Sequence, residues 1–170
     1  MWTGELLHIH IAEAASHEME EREQAELIAG KGIVGDRYFT GKGTYSPKPD
    51  VREVTLIEIE ALEAMERGDP PFPGVKVKLE PIEHRRNLTT RGVPLNHLVG
   101  KRFRVGDVVL KGGRLNFPCK YIEELLGIPI YTALINRSGL NCWIETGGII
   151  RRGDPIELLP DADYAAGSPR

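Results

Sequence analysis

The chain has 170 residues and a mass of 18.9 kDa, the size of one ordinary domain. Hydrophobic residues make up 41% and charged residues 28%, so a packed core is affordable and disorder is not the default. The net charge of −3 argues against a general nucleic-acid binder, and no apolar run approaches the roughly 18 residues that span a bilayer. Nineteen Gly and twelve Pro punctuate short apolar runs, which predicts many short strands and turns and disfavours a helix bundle.

In chain order, residues 4–12 alternate as a strand, with Leu7, Ile9 and Ile11 expected on one face and His8 and His10 on the other. Residues 17–28 are rich in Glu, Gln, Met and Ala and read locally as a helix. A long Gly-rich loop follows, with a short extended piece near Ile33. Residues 52–57 predict a strand that runs into a helix carrying Ile57, Ala61, Leu62 and Met65, with Gly68 as its stop. The Pro-rich segment 69–74 reads as a turn, residues 75–82 as a further strand, and residues 85–94 as an irregular basic loop. Two strands are expected around Gly106-Asp107, with Phe103 and Val105 opposite Arg102 and Arg104. Pro118 and Gly127 bracket a short helix at 119–127, and a helical turn is expected after Pro129. A strand at 140–145, a turn at Gly147-Gly148 and a final extended stretch precede a loose tail at 161–170. Such an element list points to a mainly β (α+β) fold, a closed or nearly closed β-barrel of short strands with a few short helices.

Charge is unevenly spread. Residues 1–85 carry 10 Lys/Arg against 17 Asp/Glu, and residues 86–170 carry 12 against 8. From His84 to Arg114 there are eight basic residues and one acid, Asp107, a field that suits a small anion or simply keeps the surface soluble. The basic loop and the Arg102/Arg104 face are candidates for holding a phosphate through bidentate contacts, with an ordinary charged surface as the alternative. The Gly-rich loop 30–43 lacks the P-loop spacing. Within it, Asp36 and Arg37 are adjacent, so one is expected to buttress the loop while the other faces a pocket.

Cys119 is the most informative single residue, because the start of a helix favours an anion and Lys120 follows it. It reads either as a reactive thiol or as a small buried hydrophobe. Cys142, beside Trp143 in an apolar strand, reads as core, and no Cys/His spacing marks a structural zinc site. His8 and His10 offer two metal ligands from one strand face or a plain solvated face, with no third ligand evident. Glu5 and the absence of a sustained apolar stretch make an N-terminal signal peptide unexpected, and two unpaired-looking cysteines suit the cytoplasm.

The order of motifs resembles the MOSC domain family, named for the C-terminal domain of molybdenum cofactor sulfurases. GIVGDRY (32–38), REVTLIEIEALEAM (52–65), RRNLTTRGVPLNHLVGKRFRVGDVVLKG (85–112), PCKYIEELLG (118–127) and RSGLNCWIETGGIIRRGDPIEL (137–158) carry the resemblance. It implies a MOSC/pyruvate-kinase-barrel-like fold over residues 1–160, and a short strand at 23–29 in place of the locally favoured helix. It also implies molybdenum cofactor (molybdopterin) as ligand. Cys119 would then carry sulfur as a persulfide or ligate the metal, and Arg37, Arg85, Arg86, Asn87, Thr90 and Arg91 would hold the anionic pterin.

By that resemblance the chain is a sulfur carrier, with a molybdenum-dependent reductase or a non-catalytic cofactor-binding module as alternatives. A cysteine desulfurase would be the sulfur source and a molybdoenzyme the acceptor. Two departures stand out. Asn116-Phe117-Pro118-Cys119 replaces a Cys-Glu-Pro-Cys pattern, which removes a neighbouring thiol. The aminotransferase-like domain of the full sulfurases is absent from this sequence, so pyridoxal phosphate is not expected within the chain.

Overall fold

Short alternating runs pair into a closed barrel. The computed structural model describes residues 1–69 and 76–161. In chain order its elements are β1 (Thr3–Ile11), β2 (Glu20–Arg22), β3 (Gln24–Ile28), β4 (Gly32–Ile33), β5 (Val54–Glu58), α1 (Ile59–Arg67), β6 (Leu88–Arg91), β7 (Arg102–Val105), β8 (Val108–Leu115), α2 (Lys120–Leu126), β9 (Leu140–Thr146), β10 (Gly148–Arg151) and β11 (Pro155–Leu158). Seven strands in the order β11-β7-β8-β9-β5-β6-β1 form the wall, and β1 pairs back onto β11 through Gly4 and Ile156. Closure leaves this ring no free edge. β2 extends the wall beside β1, and β10-β3-β4 form a small second sheet. No helix among the described residues is long and apolar enough to cross a membrane.

Inward-facing side chains fill the barrel, with Phe103, Leu6, Ile9, Leu56, Leu88 and Leu110 fully buried. β7 alternates as its sequence predicts, Phe103 and Val105 inward and Arg102 and Arg104 outward. A second apolar layer lies outside the wall, where Ile59, Leu62 and Met65 of α1 meet Ile122, Ile130 and Leu134. α1 stops at Gly68 (φ 81°), whose neighbour Asp69 returns its N–H to the Ala64 carbonyl at 2.7 Å. β5 and β6 are parallel, so a crossover must join them, and α1 lies within it.

Four sequence expectations need correction. On β1 a register shift between Leu6 and His8 puts Leu6, rather than Leu7, in the barrel core beside Ile9 and Ile11. A bulge of this kind breaks a strict two-residue period. The local helix at 17–28 is absent: Glu20–Arg22 and Gln24–Ile28 are strands, and β3 falls within the 23–29 that the family resemblance implies. Pairing to β10 overrides the helical composition there. The basic stretch 85–94 contains β6, whose Leu88, Thr89 and Thr90 are buried between β5 and β1. Residues 76–80 form no strand, although Val77 and Leu79 are buried in the outer apolar layer and the Val77 N–H bonds the Met65 carbonyl at 3.1 Å. Most of the Pro-rich turn at 69–74 and of the C-terminal tail lies outside the described residues.

One glycine is required by both space and backbone. A Cβ on Gly139, at φ +101°, would sit 1.9 Å from the Leu56 carbonyl oxygen of β5. Gly30, at φ +75°, has open space around the same position. Gly139→Ala is therefore expected to lower unfolding free energy by more than about 3 kcal/mol, and Gly30→Ala by about 1–2 kcal/mol. Urea denaturation of both variants measures the difference; equal losses would contradict the close approach.

Candidate functional site

At one side of the barrel the loop after β4, the loop before β6 and the start of α2 converge on a cleft of about 260 Å³. Its lining includes Arg37, Arg85, Arg86 and Cys119, four of the predicted site residues. Each arrives by a different local device. Asp36 is almost fully buried: its Oδ1 accepts from the Ala12 N–H (3.2 Å) and from Arg37 Nη1 (3.0 Å), and its Oδ2 accepts from the Tyr38 N–H (3.1 Å). Asp36 thus buttresses the loop as expected, but through a direct ion pair with Arg37 in a turn, not from the opposite face of an extended segment. Arg37 Nη2 then donates to the Arg85 carbonyl at 2.9 Å.

Arg85 adopts a left-handed backbone (φ 59°), a conformation that costs a non-glycine residue about 1–2 kcal/mol and persists only where neighbours enforce it. Its Nη1 donates to the His17 carbonyl at 2.9 Å, while its Nη2 is buried with no hydrogen-bond partner among the described residues. Burial, then the charge of Arg37, lowers the Arg85 pKa from its ordinary value. Arg86 is also buried and pairs with no carboxylate among the described residues: Nε donates to the Ser138 carbonyl (3.0 Å), Nη2 to Ser138 Oγ (2.8 Å) and Nη1 to the His84 carbonyl (3.1 Å). Burial depresses its pKa to about 10, with Arg37 adding to the depression and Cys119 opposing it, so it remains a cation at neutral pH.

Cys119 is half-buried and occupies the N-cap position of α2, one residue before the first turn in which the sequence placed it. Burial, followed by the Cys119 thiol hydrogen-bonded to it, raises the Tyr45 pKa above the usual phenol value. The cleft also gains residues that sequence reasoning missed. Arg114 pairs with Asp50 (2.9 Å) and lies over the Phe117 ring, and Arg52 pairs with Asp50 (3.1 Å) and lies over Tyr45. The Arg114 hydrogen bond holds the Asp50 carboxyl down at about 2. Arg114 had a sequence signal in the basic run; Tyr38 and Arg52 lie within the motifs GIVGDRY and REVTLIEIEALEAM without a role assigned to them, and Tyr45 had no signal. Among the described residues, five guanidinium groups thus line the cleft, and the carboxylates paired with them are Asp36 and Asp50.

Other predicted residues are elsewhere. Asn87 is enclosed in the barrel, where its Oδ1 accepts from Thr55 Oγ1 (3.0 Å) and its Nδ2 donates to the His10 carbonyl (3.2 Å). Thr90 Oγ1 donates to the Ile57 carbonyl, and Arg91 pairs with Glu63 on the outer surface at 2.6 Å. These three do not line the cleft. Arg102 and Arg104 are likewise outside it, paired with Glu145 and Glu157. Cys142 is fully buried in β9, and burial pushes its thiol pKa far up, as its core reading requires.

The cleft beside the closed barrel thus gathers one thiol, Cys119, and five guanidinium groups. The family model of the MOSC domain matches residues 48–157, and the chain belongs to that family. Its fold is similar to the YuaD protein of Bacillus subtilis, with a TM-score of 0.75 and 22% identity over 93% of this chain and 98% of that one. It is also similar to YiiM of Geobacillus stearothermophilus (TM-score 0.67, 13% identity, 92% of this chain and 75% of that one). YiiM of Escherichia coli gives a TM-score of 0.64 at 17% identity, covering 95% and 71% of the two chains. No curated protein matches the sequence.

The Tyr45–Cys119 contact is testable on its own. Cys119→Ala is expected to bring the Tyr45 pKa down toward the ordinary phenol value while burial keeps part of the rise. Tyrosine-selective NMR titration reads this directly; an unmoved Tyr45 would show that the thiol does not reach it.

Proposed function

We propose that the cleft binds molybdenum cofactor and that Cys119 carries a sulfane sulfur for delivery to it. The observation that carries this reading is the unpartnered, buried Nη2 of Arg85 in a cleft that holds a thiol and five guanidinium groups, of which Arg37, Arg52 and Arg114 pair with the two carboxylates Asp36 and Asp50. Unbalanced buried charge of this sign fits an anion such as the pterin phosphate, and a sulfur ligand fits a soft metal. When bound, the cofactor supplies the molybdenum that receives the sulfur. The cleft volume, about 260 Å³, falls just below the roughly 300–1,000 Å³ of sites that enclose a whole ligand. It therefore suits the charged head of a larger molecule.

The residues divide the work. Cys119 sulfur attacks the outer sulfur of a persulfide on a donor protein; the new bond is Cys119 S–S, and the donor's S–S bond breaks to leave its thiolate. The persulfide formed on Cys119 is anionic, and Arg86 faces it with a charge that no carboxylate neutralises. Arg85 and Arg37 orient the anionic ligand. Asn87 and Thr90 hold the loop and strand behind Arg85 and Arg86, which is a positioning role.

The test is reconstitution of the full chain with molybdenum cofactor, followed by assay of bound molybdenum and released pterin. Wild type is expected to retain both. Arg85→Met should weaken retention about ten- to a hundredfold, the loss of a charged hydrogen bond worth roughly 1.5–3 kcal/mol. Cys119→Ser should keep pterin yet fail to accept labelled sulfur from a persulfide donor. Loss of molybdenum from Cys119→Ser would instead make Cys119 a metal ligand, as in a reductase. A wild-type protein that holds neither pterin nor metal would overturn the cofactor assignment.

A further inference from the structure

On the barrel wall, away from the cleft lining, β1 and β2 gather two imidazoles and a carboxylate. His8 and His10 are two residues apart on β1 and so share a face. Glu21 on β2 is the direct antiparallel partner of His10. One donor atom from each of His8, His10 and Glu21 lies within 4.8 Å of the other two, and His8 Nδ1 is 2.5 Å from Glu21 Oε1. The rings of His8 and His10 are stacked with centroids 5.7 Å apart.

A second observation points to a ligand. His10 is 1% exposed, and its Nδ1 is buried without a hydrogen-bond partner among the described residues. Its neighbour His84 cannot supply one. His84 Nδ1 accepts from the Arg86 N–H at 2.8 Å, and its Nε2 is engaged with Thr89 Oγ1 at 2.7 Å. A hydrogen-bonded His8–Glu21 pair explains those two residues alone and leaves the His10 nitrogen unaccounted for.

We propose that His8, His10 and Glu21 form a binding site for a divalent transition-metal ion of the zinc type. Two imidazole nitrogens and one carboxylate oxygen are a borderline donor set that favours such an ion over calcium or magnesium. Around a tetrahedral zinc with bonds of about 2.0–2.1 Å, donor atoms sit roughly 3.3 Å apart. The three donor atoms already lie within 4.8 Å of one another, and His8 and Glu21 are partly exposed, so their side chains have room to rotate onto the ion. The fourth position is left to water. Arg152 Nη1, 3.6 Å from Glu21 Oε1, opposes the cation, but Glu23 (3.0 Å) and the Leu7 carbonyl (2.9 Å) hold it to one side.

The site would fasten β2, all three residues of which are exposed, to the barrel strand β1. The segment leading into β2 carries His17 and Met19, whose carbonyl and Sδ accept from Arg85 and Arg37. An ion at His8, His10 and Glu21 therefore steadies the chain that backs two cleft arginines, whatever the cleft binds.

The experiment is a calorimetric zinc titration of the full chain in a Cys119→Ala background, which removes the accessible thiol, with cobalt absorption as a second readout. One ion per chain is expected with a dissociation constant below about 10 µM. His8→Ala and Glu21→Gln, both outside the core, should each weaken it at least tenfold, and Arg152→Gln should tighten it. Circular dichroism verifies that the variants fold. No saturable binding below about 100 µM, or binding unchanged by both His8→Ala and Glu21→Gln, overturns the proposal.

Discussion

A guanidinium buried without a carboxylate constrains everything around it. Arg86 keeps its charge in the wall of the molecule by donating to three neutral acceptors, two on Ser138 and one on His84. A buried cation held this way is expensive unless each donor is met, so the 84–87 segment and the turn at 138 must stay in register. Gly139 follows at once, against the Leu56 carbonyl of β5. The same contacts that satisfy Arg86 thus set how β9 approaches β5, and with it the closure of the barrel.

Asn87 extends the constraint inward. Its amide and backbone bond Thr55 on β5 and His10 on β1, two strands separated in the wall by β6. Removing that clasp would leave several buried polar groups without partners, each costing about 1–3 kcal/mol. The result is a rigid frame on which Arg85 can hold an unfavourable left-handed backbone. Strain and unbalanced charge then coincide at one residue, the combination that functional sites tend to concentrate.

Much of this architecture could be read from the residues because local rules and tertiary demands agreed. β7 alternates cleanly up to Gly106, α1 ends at a glycine, and α2 sits between Pro118 and Gly127. Where they disagreed, pairing won. β6 looked like a basic loop because Arg85, Arg86 and Arg91 flank a three-residue buried core of Leu88, Thr89 and Thr90 that is too short for a period to show. The β1 bulge displaced Leu7 by a shift that no count of apolar residues encodes. In the cleft, Cys119, Arg37, Arg85 and Arg86 were accessible from motif and charge. Arg52 was not, because its role depends on where the 37–52 loop folds back. Glu21 was hidden for a similar reason: only the β1–β2 register sets it opposite His10.

The thiol inventory bears on how a sulfur carrier of this design would behave. Cys142, the other cysteine, is fully buried in β9. With Asn116 three residues before Cys119 in place of a second cysteine, no neighbouring thiol is present to attack a persulfide there and close a disulfide. A sulfur held on Cys119 would leave only to an outside acceptor, and the cationic cleft would favour one that brings negative charge with it. Phe117, two residues before Cys119 and 68% exposed, stands at the cleft and carries the Arg114 guanidinium on its ring. An apolar face backed by a cation is suited to cover the flat ring system of a bound heterocycle while the arginines behind it take the charged end. Selectivity would then come from the acceptor's shape and charge together, because a lone thiol cannot discriminate by chemistry alone.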